Sequence, residues 1–294
     1  MKQSTLSPSE RARRDSSDRR LLESATSFLF VPGDRPERFP KALQSDANVV
    51  IIDWEASVIA SSKNVARHNT IAFLANADGR RVAIRVNPVS SSDFNLDAAA
   101  LHQISGQIAG VFLTMVDSAD QVTMAQHALP PNTALVGMIE TARAVVRVDE
   151  IASAKPLCRL AFGNMDYQTD VDLPPDEPVG LIYPSSRIVV ASRSAGLPAP
   201  IAGVTENIAD LDVFEQSARF ERNLGFLGKL CVHPTQLALT QAIFAPSAAE
   251  IEWAERVITA TQNTHAVMMD GRMIDRPVIE RARKILNRAK VVLD

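Results

Sequence analysis

Short apolar runs alternate with longer amphipathic segments from Ser27 onward, and this alternation limits the fold more than any other feature. Each run is short, rich in β-branched or aromatic residues and bounded by turn residues, which is typical of buried strands. The eight runs are Ser27–Val31, Val49–Asp53, Val82–Val86, Val111–Val116, Ala134–Ile139, Cys158–Phe162, Ile201–Val204 and Lys229–Val232. Strands that are buried on both faces and alternate with helices indicate a parallel sheet.

Eight such units within a chain of 294 residues predict a closed barrel. The predicted fold class is therefore α/β, a (β/α)8 TIM barrel with a C-terminal helical extension. An open doubly wound sheet is the alternative. No Gly-x-Gly-x-x-Gly motif follows a strand, which weakens the dinucleotide-binding version of that alternative.

The chain divides into three predicted regions. Residues 1–24 are rich in Ser and Arg and poor in apolar residues, so we expect a flexible N-terminal arm. Residues 25–245 form the predicted barrel. Residues 246–294 form a predicted helical segment: Ser247-x-x-Glu250 is a capping-box sequence, and apolar residues recur after it at helical spacing.

Composition excludes several classes of protein. The net charge of −3 gives no basic footprint for nucleic acid. Hydrophobic residues make up 46% of the chain, enough for an ordinary globular core. Neither Cys158 nor Cys231 lies in a metal-binding cluster, so we expect both to be core residues and predict neither a disulfide nor a zinc site. No apolar stretch is long enough to span a membrane and no signal-peptide pattern occurs, which predicts a cytoplasmic protein.

Polar residues follow nearly every predicted strand, at the barrel end where chemistry collects. These residues lie in the segments Asp34–Arg38, Asp53–Glu55, Arg85–Asn87, Glu140–Arg143, Asn164–Asp166 and His233–Pro234. One such residue is an ordinary helix cap. Several carboxylates and an arginine on one rim indicate a site for an anion together with a metal ion.

Glu140 and Asp166 are the carboxylates best suited to a divalent cation. Hard oxygen ligands suit Mg²⁺, which takes one or two carboxylates and keeps its other positions for water or substrate oxygens. The alternative is that each carboxylate caps the helix that follows it.

Arg85 ends an apolar strand, and its guanidinium fork suits a substrate carboxylate. A structural ion pair with Asp53 or Glu55 is the alternative, and the sequence does not decide between them. His233 ends the last strand, where either a hydrogen-bonded structural histidine or a catalytic one is expected.

Six motifs occur in order along the chain and are specific as a set, although each alone is weak. They are Phe28-Leu-Phe-Val-Pro-Gly-Asp-Arg-Pro-Glu-Arg38, Arg85-Val-Asn-Pro88, Ile139-Glu-Thr-Ala-Arg143, Ala161-Phe-Gly-Asn-Met-Asp166, Gly228-Lys-Leu-Cys-Val-His-Pro234 and Asp270-Gly-Arg-Met-Ile-Asp-Arg-Pro277. With these motifs the chain resembles the HpcH/HpaI aldolase and citrate lyase β-subunit family, which includes stand-alone CoA-ester lyases. The resemblance covers nearly the whole chain.

The resemblance implies a (β/α)8 barrel, a Mg²⁺ cofactor, a CoA thioester substrate and a homo-oligomer, commonly a trimer. It implies that Glu140 and Asp166 bind the metal and that Glu140 and Arg85 contact substrate. It places Asp53 and Glu55 around the metal site. The residues it places near CoA are Phe30, Arg38 and Lys41.

The resemblance also implies a catalytic aspartate near the C-terminus that reaches the site of a neighbouring subunit. Asp275, in the Gly-Arg-Met-Ile-Asp segment, matches that residue, and Asp270 is the second choice. The chain departs from the family after the second strand, where Asp-Leu-Glu-Asp-Ala-Val is usual and Asp53-Trp-Glu-Ala-Ser-Val58 occurs. Ala56 therefore replaces an aspartate and Trp54 is bulkier than usual, which we expect to alter the surroundings of the metal or the choice of substrate.

The implied reaction is retro-Claisen cleavage of a 3-hydroxyacyl-CoA to acetyl-CoA and a 2-oxo acid. Citramalyl-CoA is the first choice of substrate, followed by malyl-CoA and citryl-CoA. The alternatives are a citrate lyase β-type subunit acting on an acyl-carrier-protein thioester, a metal-dependent aldolase acting on a free hydroxy-keto acid, and a non-catalytic barrel binding protein. Retention of Glu140 and Asp166 disfavours the last of these.

Overall fold

The computed structural model describes residues 8–174, 178–262 and 266–293. Its contacts divide the chain into two compact units, one up to Thr240 and one from Gln241 onward. The first unit holds a parallel sheet with helices between its strands, as the alternation of apolar runs predicts.

Seven strands form this sheet. They are β1 (Ser27–Pro32), β2 (Val49–Asp53), β3 (Val82–Val86), β4 (Gly110–Leu113), β5 (Leu135–Ile139), β6 (Leu157–Phe162) and β7 (Lys229–Cys231). Their order is β6-β5-β4-β3-β2-β1-β7, and all neighbouring strands are parallel. The α/β class with a parallel sheet is thereby confirmed.

The predicted strand Ile201–Val204 is reduced to two isolated parallel bridges. Ile201 pairs with Ala161 of β6, and Ala202 pairs with Lys229 of β7. The segment therefore contacts both outer strands of the seven-stranded sheet without forming a regular strand of its own. A backbone that pairs through only two residues does not meet the ladder pattern of a strand.

Helices connect the strands in chain order. Up to Phe244 they are α1 (Pro8–Ser24), α2 (Phe39–Leu43), α3 (Lys63–Leu74), α4 (Ser92–Gln103), α5 (Ala119–Ala128), α6 (Ala142–Val146), α7 (Val148–Ala152), α8 (Asn164–Asp170), α9 (Val179–Ser194), α10 (Leu211–Leu224) and α11 (Leu237–Phe244). Single 3₁₀ turns lie at Pro36–Arg38, Ala60–Ser62 and Pro234–Gln236.

The N-terminal segment differs from the expected flexible arm. Residues 8–24 form α1, and Leu22 near its end is fully buried in the core cluster of the first unit. The buried guanidinium of Arg159 donates to the carbonyl oxygens of Leu22 and Ala25 at 3.0 and 2.7 Å. The composition of the segment is polar on average, so it did not predict these contacts, which individual residues make. Residues 1–7 lie outside the described residues.

The second unit contains a hairpin as well as helices. Its elements are α12 (Ala248–Ala260), β8 (Val267–Met269), β9 (Arg272–Ile274) and α13 (Arg276–Leu293). Ser247 forms the predicted capping box with Glu250 at the start of α12. The antiparallel hairpin replaces part of the expected helical segment, because Asp270 and Gly271 both take positive φ angles of 53° and 72°, which suit a two-residue hairpin turn.

Within the described ranges, no helix combines the length and the apolar character needed to cross a membrane. Cys158 and Cys231 are buried and free, as predicted for core residues.

Candidate active site

A cavity of about 840 Å³ lies at the carboxyl ends of the strands in the first unit. The predicted site residues that line it are Phe30, Arg38, Lys41, Asp53, Arg85, Asp166 and His233. They lie on different strands or in the segments that follow them, and they meet here because parallel strands place their carboxyl ends on one edge of the sheet. Glu140 and Glu55 do not line the cavity, but their carboxylates act electrostatically on the groups that do.

Arg85 forms a two-pronged ion pair with Asp53 of the neighbouring strand. Its Nε donates to Asp53 Oδ1 at 2.7 Å and its Nη2 donates to Asp53 Oδ2 at 2.6 Å. The register of the sheet sets Asp53 directly beside Arg85, so strand pairing alone brings them together. The ion pair that the sequence left as an alternative therefore exists, and it occupies the guanidinium fork that was expected to receive a substrate.

The Nη1 atom of the Arg85 guanidinium is not bonded to Asp53. Nη1 lies 3.6 Å from Glu55 Oε2, and the guanidinium carbon stands 4.5 Å above the Phe30 ring. Only 9% of the Arg85 residue surface is exposed. Burial lowers the pKa of Arg85, but the carboxylates of Asp53 and Glu55 outweigh that effect and hold the pKa above its ordinary value.

Asp53 also holds the turn that follows β2. Its oxygens accept from the Glu55 backbone N–H at 2.9 Å and from the Ser57 backbone N–H at 2.8 Å, and the Ser57 hydroxyl donates at 2.5 Å. Burial opposes ionisation of Asp53, yet the charge and hydrogen bonds of Arg85, with those from Ser57 and Glu55, bring its pKa below the ordinary value. Asp53 is thus a fully partnered carboxylate.

The Glu140 carboxylate, unlike that of Asp53, is only partly hydrogen-bonded. Glu140 follows β5, is only 2% exposed, and its Oε1 accepts a hydrogen bond from the Met115 backbone N–H. Its Oε2 is buried and has no hydrogen-bond partner. Burial raises the pKa of Glu140 to about 8, and the nearby Asp166 carboxylate adds to the increase.

The chemistry of Glu140 and Asp166 suits a divalent cation. A buried carboxylate oxygen without a partner costs free energy, which a bound cation removes. Gly163 packs directly against Glu140, because a Cβ at that position would collide with the Glu140 carboxylate. Asp166, in the first turn of α8, is exposed toward the cavity. Two carboxylates with open positions are the donor set that Mg²⁺ uses.

No group of three or more His, Cys, Asp or Glu side chains in the described part of the chain is arranged to hold a metal ion. The site therefore differs from a closed structural metal centre, in which the protein supplies every ligand.

Arg38 and Lys41 lie at the cavity and are exposed, on the short helical segment that follows β1. Phe30 is partly buried and packs on the core cluster beneath the cavity. Two cationic side chains are therefore exposed to solvent at the cavity, and one aromatic ring forms part of its wall.

His233 caps the 3₁₀ turn that follows β7. Its Nδ1 accepts from the Thr235 backbone N–H at 3.3 Å and lies 2.8 Å from the Thr235 hydroxyl. Its backbone N–H donates to the Gln236 side chain at 3.3 Å. These contacts give His233 a structural role at the cavity rim.

Trp54 does not face the cavity. Its side chain is fully buried, and its indole N–H donates to the Thr70 hydroxyl of α3 at 2.9 Å. The period of two along a strand explains this, because Asp53 points toward the cavity and the next residue points to the opposite face of the sheet. Ala56 does line the cavity, and the expected effect of this departure on the choice of substrate stays a prediction.

Asp275 and Asp270 belong to the second unit. Asp275 directly precedes α13, and its carbonyl accepts the Ile279 backbone N–H at 3.0 Å. Asp270 lies in the hairpin turn and pairs with Arg256 at 3.2 Å. Asp275 is thus the less engaged of the two aspartates among the described contacts.

Sequence reasoning assigned no role to two groups at the site. The Met115 N–H reaches Glu140 because Met115 takes a positive φ of 51°, an uncommon conformation for a residue with a side chain. Nothing in the sequence signals this. Asn164 accepts from and donates to the Val204 backbone at 2.8 and 3.0 Å, and its place after an apolar strand was the available signal.

Comparison with known proteins places this chain among lyases and related enzymes. The sequence profile of the HpcH/HpaI aldolase/citrate lyase family matches residues 26–234. A citrate lyase subunit beta-like protein of Mycobacterium tuberculosis is 31% identical over 276 residues, covering 92% of this chain and 97% of that protein. A (3S)-malyl-CoA thioesterase of Cereibacter sphaeroides is 30% identical over 275 residues, covering 90% of this chain and 95% of that protein.

A solved structure is also similar along nearly the whole chain. It is the protein CitE of Mycobacterium tuberculosis in complex with magnesium, acetoacetate and coenzyme A. The TM-score is 0.78 at 29% sequence identity, over 92% of this chain and 100% of that chain.

Proposed function

We propose, from the premise that this chain belongs to the HpcH/HpaI aldolase/citrate lyase family, that it is a Mg²⁺-dependent carbon–carbon lyase of CoA thioesters. The observation that carries the proposal is the buried, unpartnered Oε2 of Glu140 beside the cavity. The similar CitE protein, whose complex holds magnesium and coenzyme A, supports the choice of metal and of thioester.

Glu140 and Asp166 would hold the metal ion. When bound, Mg²⁺ supplies a Lewis acid that stabilises negative charge on the substrate hydroxyl oxygen as it becomes a keto oxygen. Glu140 is buried, whereas Asp166 is exposed at the open side of the cavity, where we expect the substrate to enter.

Arg85 would bind the substrate carboxylate through the edge that Asp53 leaves free. A guanidinium fixed by two hydrogen bonds has lost its rotational freedom before the substrate arrives, so binding costs less ordering. Phe30 supports the guanidinium from one face. Arg38 and Lys41, which are exposed at the cavity, would meet the phosphates of CoA.

Cleavage turns the substrate hydroxyl into a keto group: the hydroxyl proton passes to solvent at the open cavity, the C=O double bond forms as the C–C bond breaks, and the electron pair of that bond leaves on the α-carbon of the two-carbon thioester as an enolate. That carbon then takes up one proton. Asp275 would deliver it as a general acid, from a neighbouring subunit of a homotrimer. In the reverse direction the same carboxylate would remove the α-proton of acetyl-CoA.

We also propose that the parallel sheet closes into a barrel. The bridges at Ile201 and Ala202, which contact both outer strands, support a sheet that closes into a (β/α)8 barrel. Residues 246–294 would form the extension that carries Asp275. The cytoplasmic location stays a prediction.

The test is a lyase assay of the purified protein with (S)-citramalyl-CoA, with and without Mg²⁺, read through lactate dehydrogenase and by direct detection of acetyl-CoA. Malyl-CoA and citryl-CoA run alongside. We expect Mg²⁺-dependent release of pyruvate from citramalyl-CoA. Absence of product from all three esters would overturn the proposal, and the acyl-carrier-protein thioester would then be tested next.

A further inference from the structure

A buried group of polar side chains lies behind the Arg85–Asp53 pair. Asn87, Asp97 and Arg67 form it, and we refer to these three residues as the Asn87 clamp. None of the three lines the cavity within the described residues. Asn87 and Asp97 are completely buried, and Arg67 nearly so.

Asn87 is held through its backbone and through both atoms of its amide. Its backbone N–H and its Nδ2 both donate to Asp97 Oδ2 at 2.8 Å. Nδ2 also donates to the Trp54 carbonyl oxygen at 3.1 Å, and Oδ1 accepts from Lys63 Nζ. Each polar atom of this amide is therefore occupied, which fixes its orientation.

Asp97 passes this restraint to α3. Its Oδ1 accepts from Arg67 Nη1 at 2.5 Å, while its Oδ2 holds Asn87. Arg67 Nη2 makes a further bond of 3.1 Å to Asp93, which is partly exposed. Asp93 bonds Arg67 Nη2, whereas Asp97 bonds Arg67 Nη1, and Asp93 is not among the described partners of Asn87, so it offers a matched control.

The clamp acts on the two strand ends that carry the ion pair. Asn87 lies two residues after Arg85, and Trp54 directly follows Asp53. The Trp54 N–H donates to the Arg85 carbonyl at 3.0 Å, so the backbone of Trp54 is held at both its N–H and its carbonyl. The turn that begins there supplies the Ser57 N–H and hydroxyl to Asp53.

Stability alone does not account for such a group. A buried ion pair contributes little net stability compared with apolar side chains of similar volume, because both charges lose hydration. A fully partnered network does fix geometry, since a shift of one member leaves a buried partner without its hydrogen bond, which is unfavourable.

We infer that Asn87 is a positioning residue for Arg85. Asn87 fixes the Trp54 carbonyl and thereby the backbone at the start of the turn that holds Asp53. Asp53 in turn orients the guanidinium toward the substrate carboxylate. The inference rests on the proposed role of Arg85 in binding a 2-oxo acid.

The experiment compares Asn87→Ala with Asp93→Asn in the full-length protein, with Asn87→Ser as a milder variant should alanine prevent folding. Pyruvate affinity is measured by calorimetry in the presence of Mg²⁺, and backbone hydrogen exchange of residues 53–58 by mass spectrometry. We expect Asn87→Ala to weaken pyruvate binding roughly tenfold, with faster exchange confined to residues 53–58. Asn87→Ser should show the same changes to a smaller extent, and Asp93→Asn should match the wild type in both readouts.

Two results would overturn the inference. The first is wild-type affinity and wild-type exchange in both Asn87 variants. The second is unchanged pyruvate affinity together with faster hydrogen exchange over the whole chain, which is the result expected if Asn87 only stabilises the fold. If the wild type binds no 2-oxo acid, the proposed function fails instead, and the exchange of residues 53–58 still decides whether Asn87 holds the turn.

Discussion

The two halves of the candidate site differ in how completely their polar atoms are partnered. On the β2–β3 side, Asp53 accepts five hydrogen bonds, two of them from Arg85. On the β5–β6 side, Glu140 has one oxygen bonded to the Met115 N–H and one oxygen with no partner. We call the β2–β3 side the complete half, because the protein itself partners the whole Asp53 carboxylate. We call the β5–β6 side the incomplete half, because Glu140 Oε2 is open for the cation that we propose.

The largest effect is expected from removing the incomplete half. Glu140→Ala and Asp166→Ala should each lower kcat/KM by at least roughly 10³-fold, about 4 kcal/mol of transition-state stabilisation, because neither carboxylate has a substitute. The measurement is steady-state turnover at saturating Mg²⁺. Asp170→Asn, one helical turn after Asp166 on α8, is the matched control and should stay active. Normal turnover in both alanine variants would remove the metal assignment.

Asp275→Asn should reduce turnover by roughly 10²- to 10⁴-fold, since the amide cannot donate or accept the proton that a general acid–base group transfers. Pyruvate binding should be unaltered, because the proton donor does not hold the 2-oxo acid. Calorimetry and turnover on the same preparation separate these effects. Asp270→Asn is the matched variant, and an unchanged rate in Asp275→Asn with a reduced rate in Asp270→Asn would move the role to the hairpin turn.

The complete half is tested by Arg85→Lys. An ammonium is a point charge and cannot keep two parallel bonds to Asp53 while presenting a donor to the substrate. We expect the Kd of pyruvate to rise about 10- to 100-fold, equal to about 1.4–2.8 kcal/mol. Unaltered affinity would mean that Arg85 serves only the ion pair with Asp53.

The smallest effect should come from a residue behind this half. Trp54→Phe removes the indole N–H that bonds Thr70 and leaves the cavity lining unaltered. The free energy of unfolding should fall by about 1 kcal/mol, measured by urea denaturation, while the relative rates with the three CoA esters stay the same. A changed substrate preference would contradict the outward orientation of Trp54.

The pattern of the sequence predicted the sheet well because its signal is local. Apolar runs such as Val82–Val86 coincide with an observed strand, and the Ser247 capping box forms as expected. Two misses have different causes. Leu22 anchors α1 through contacts with distant residues, which average composition does not reveal. The hairpin at Asp270-Gly271 carried a recognisable turn signal that helical spacing nearby obscured.

At the site, the sequence predicted which side chains meet but not how they are partnered. Arg85, Asp53 and Asp166 reach one cavity because parallel strands align their ends. The occupation of the Arg85 fork by Asp53 depends on strand register, which one sequence leaves open. The strained Met115 N–H depends on a single backbone angle that no residue type requires.

Calorimetric titration of Mg²⁺ into the wild type and into Glu140→Gln tests directly whether a cation binds at Glu140 in the β5–β6 half. The amide keeps the shape of Glu140 and removes its charge. We expect one Mg²⁺ site per chain in the wild type and its loss in Glu140→Gln, with circular dichroism showing that both proteins are folded. Equal Mg²⁺ binding by the two proteins would contradict this expectation.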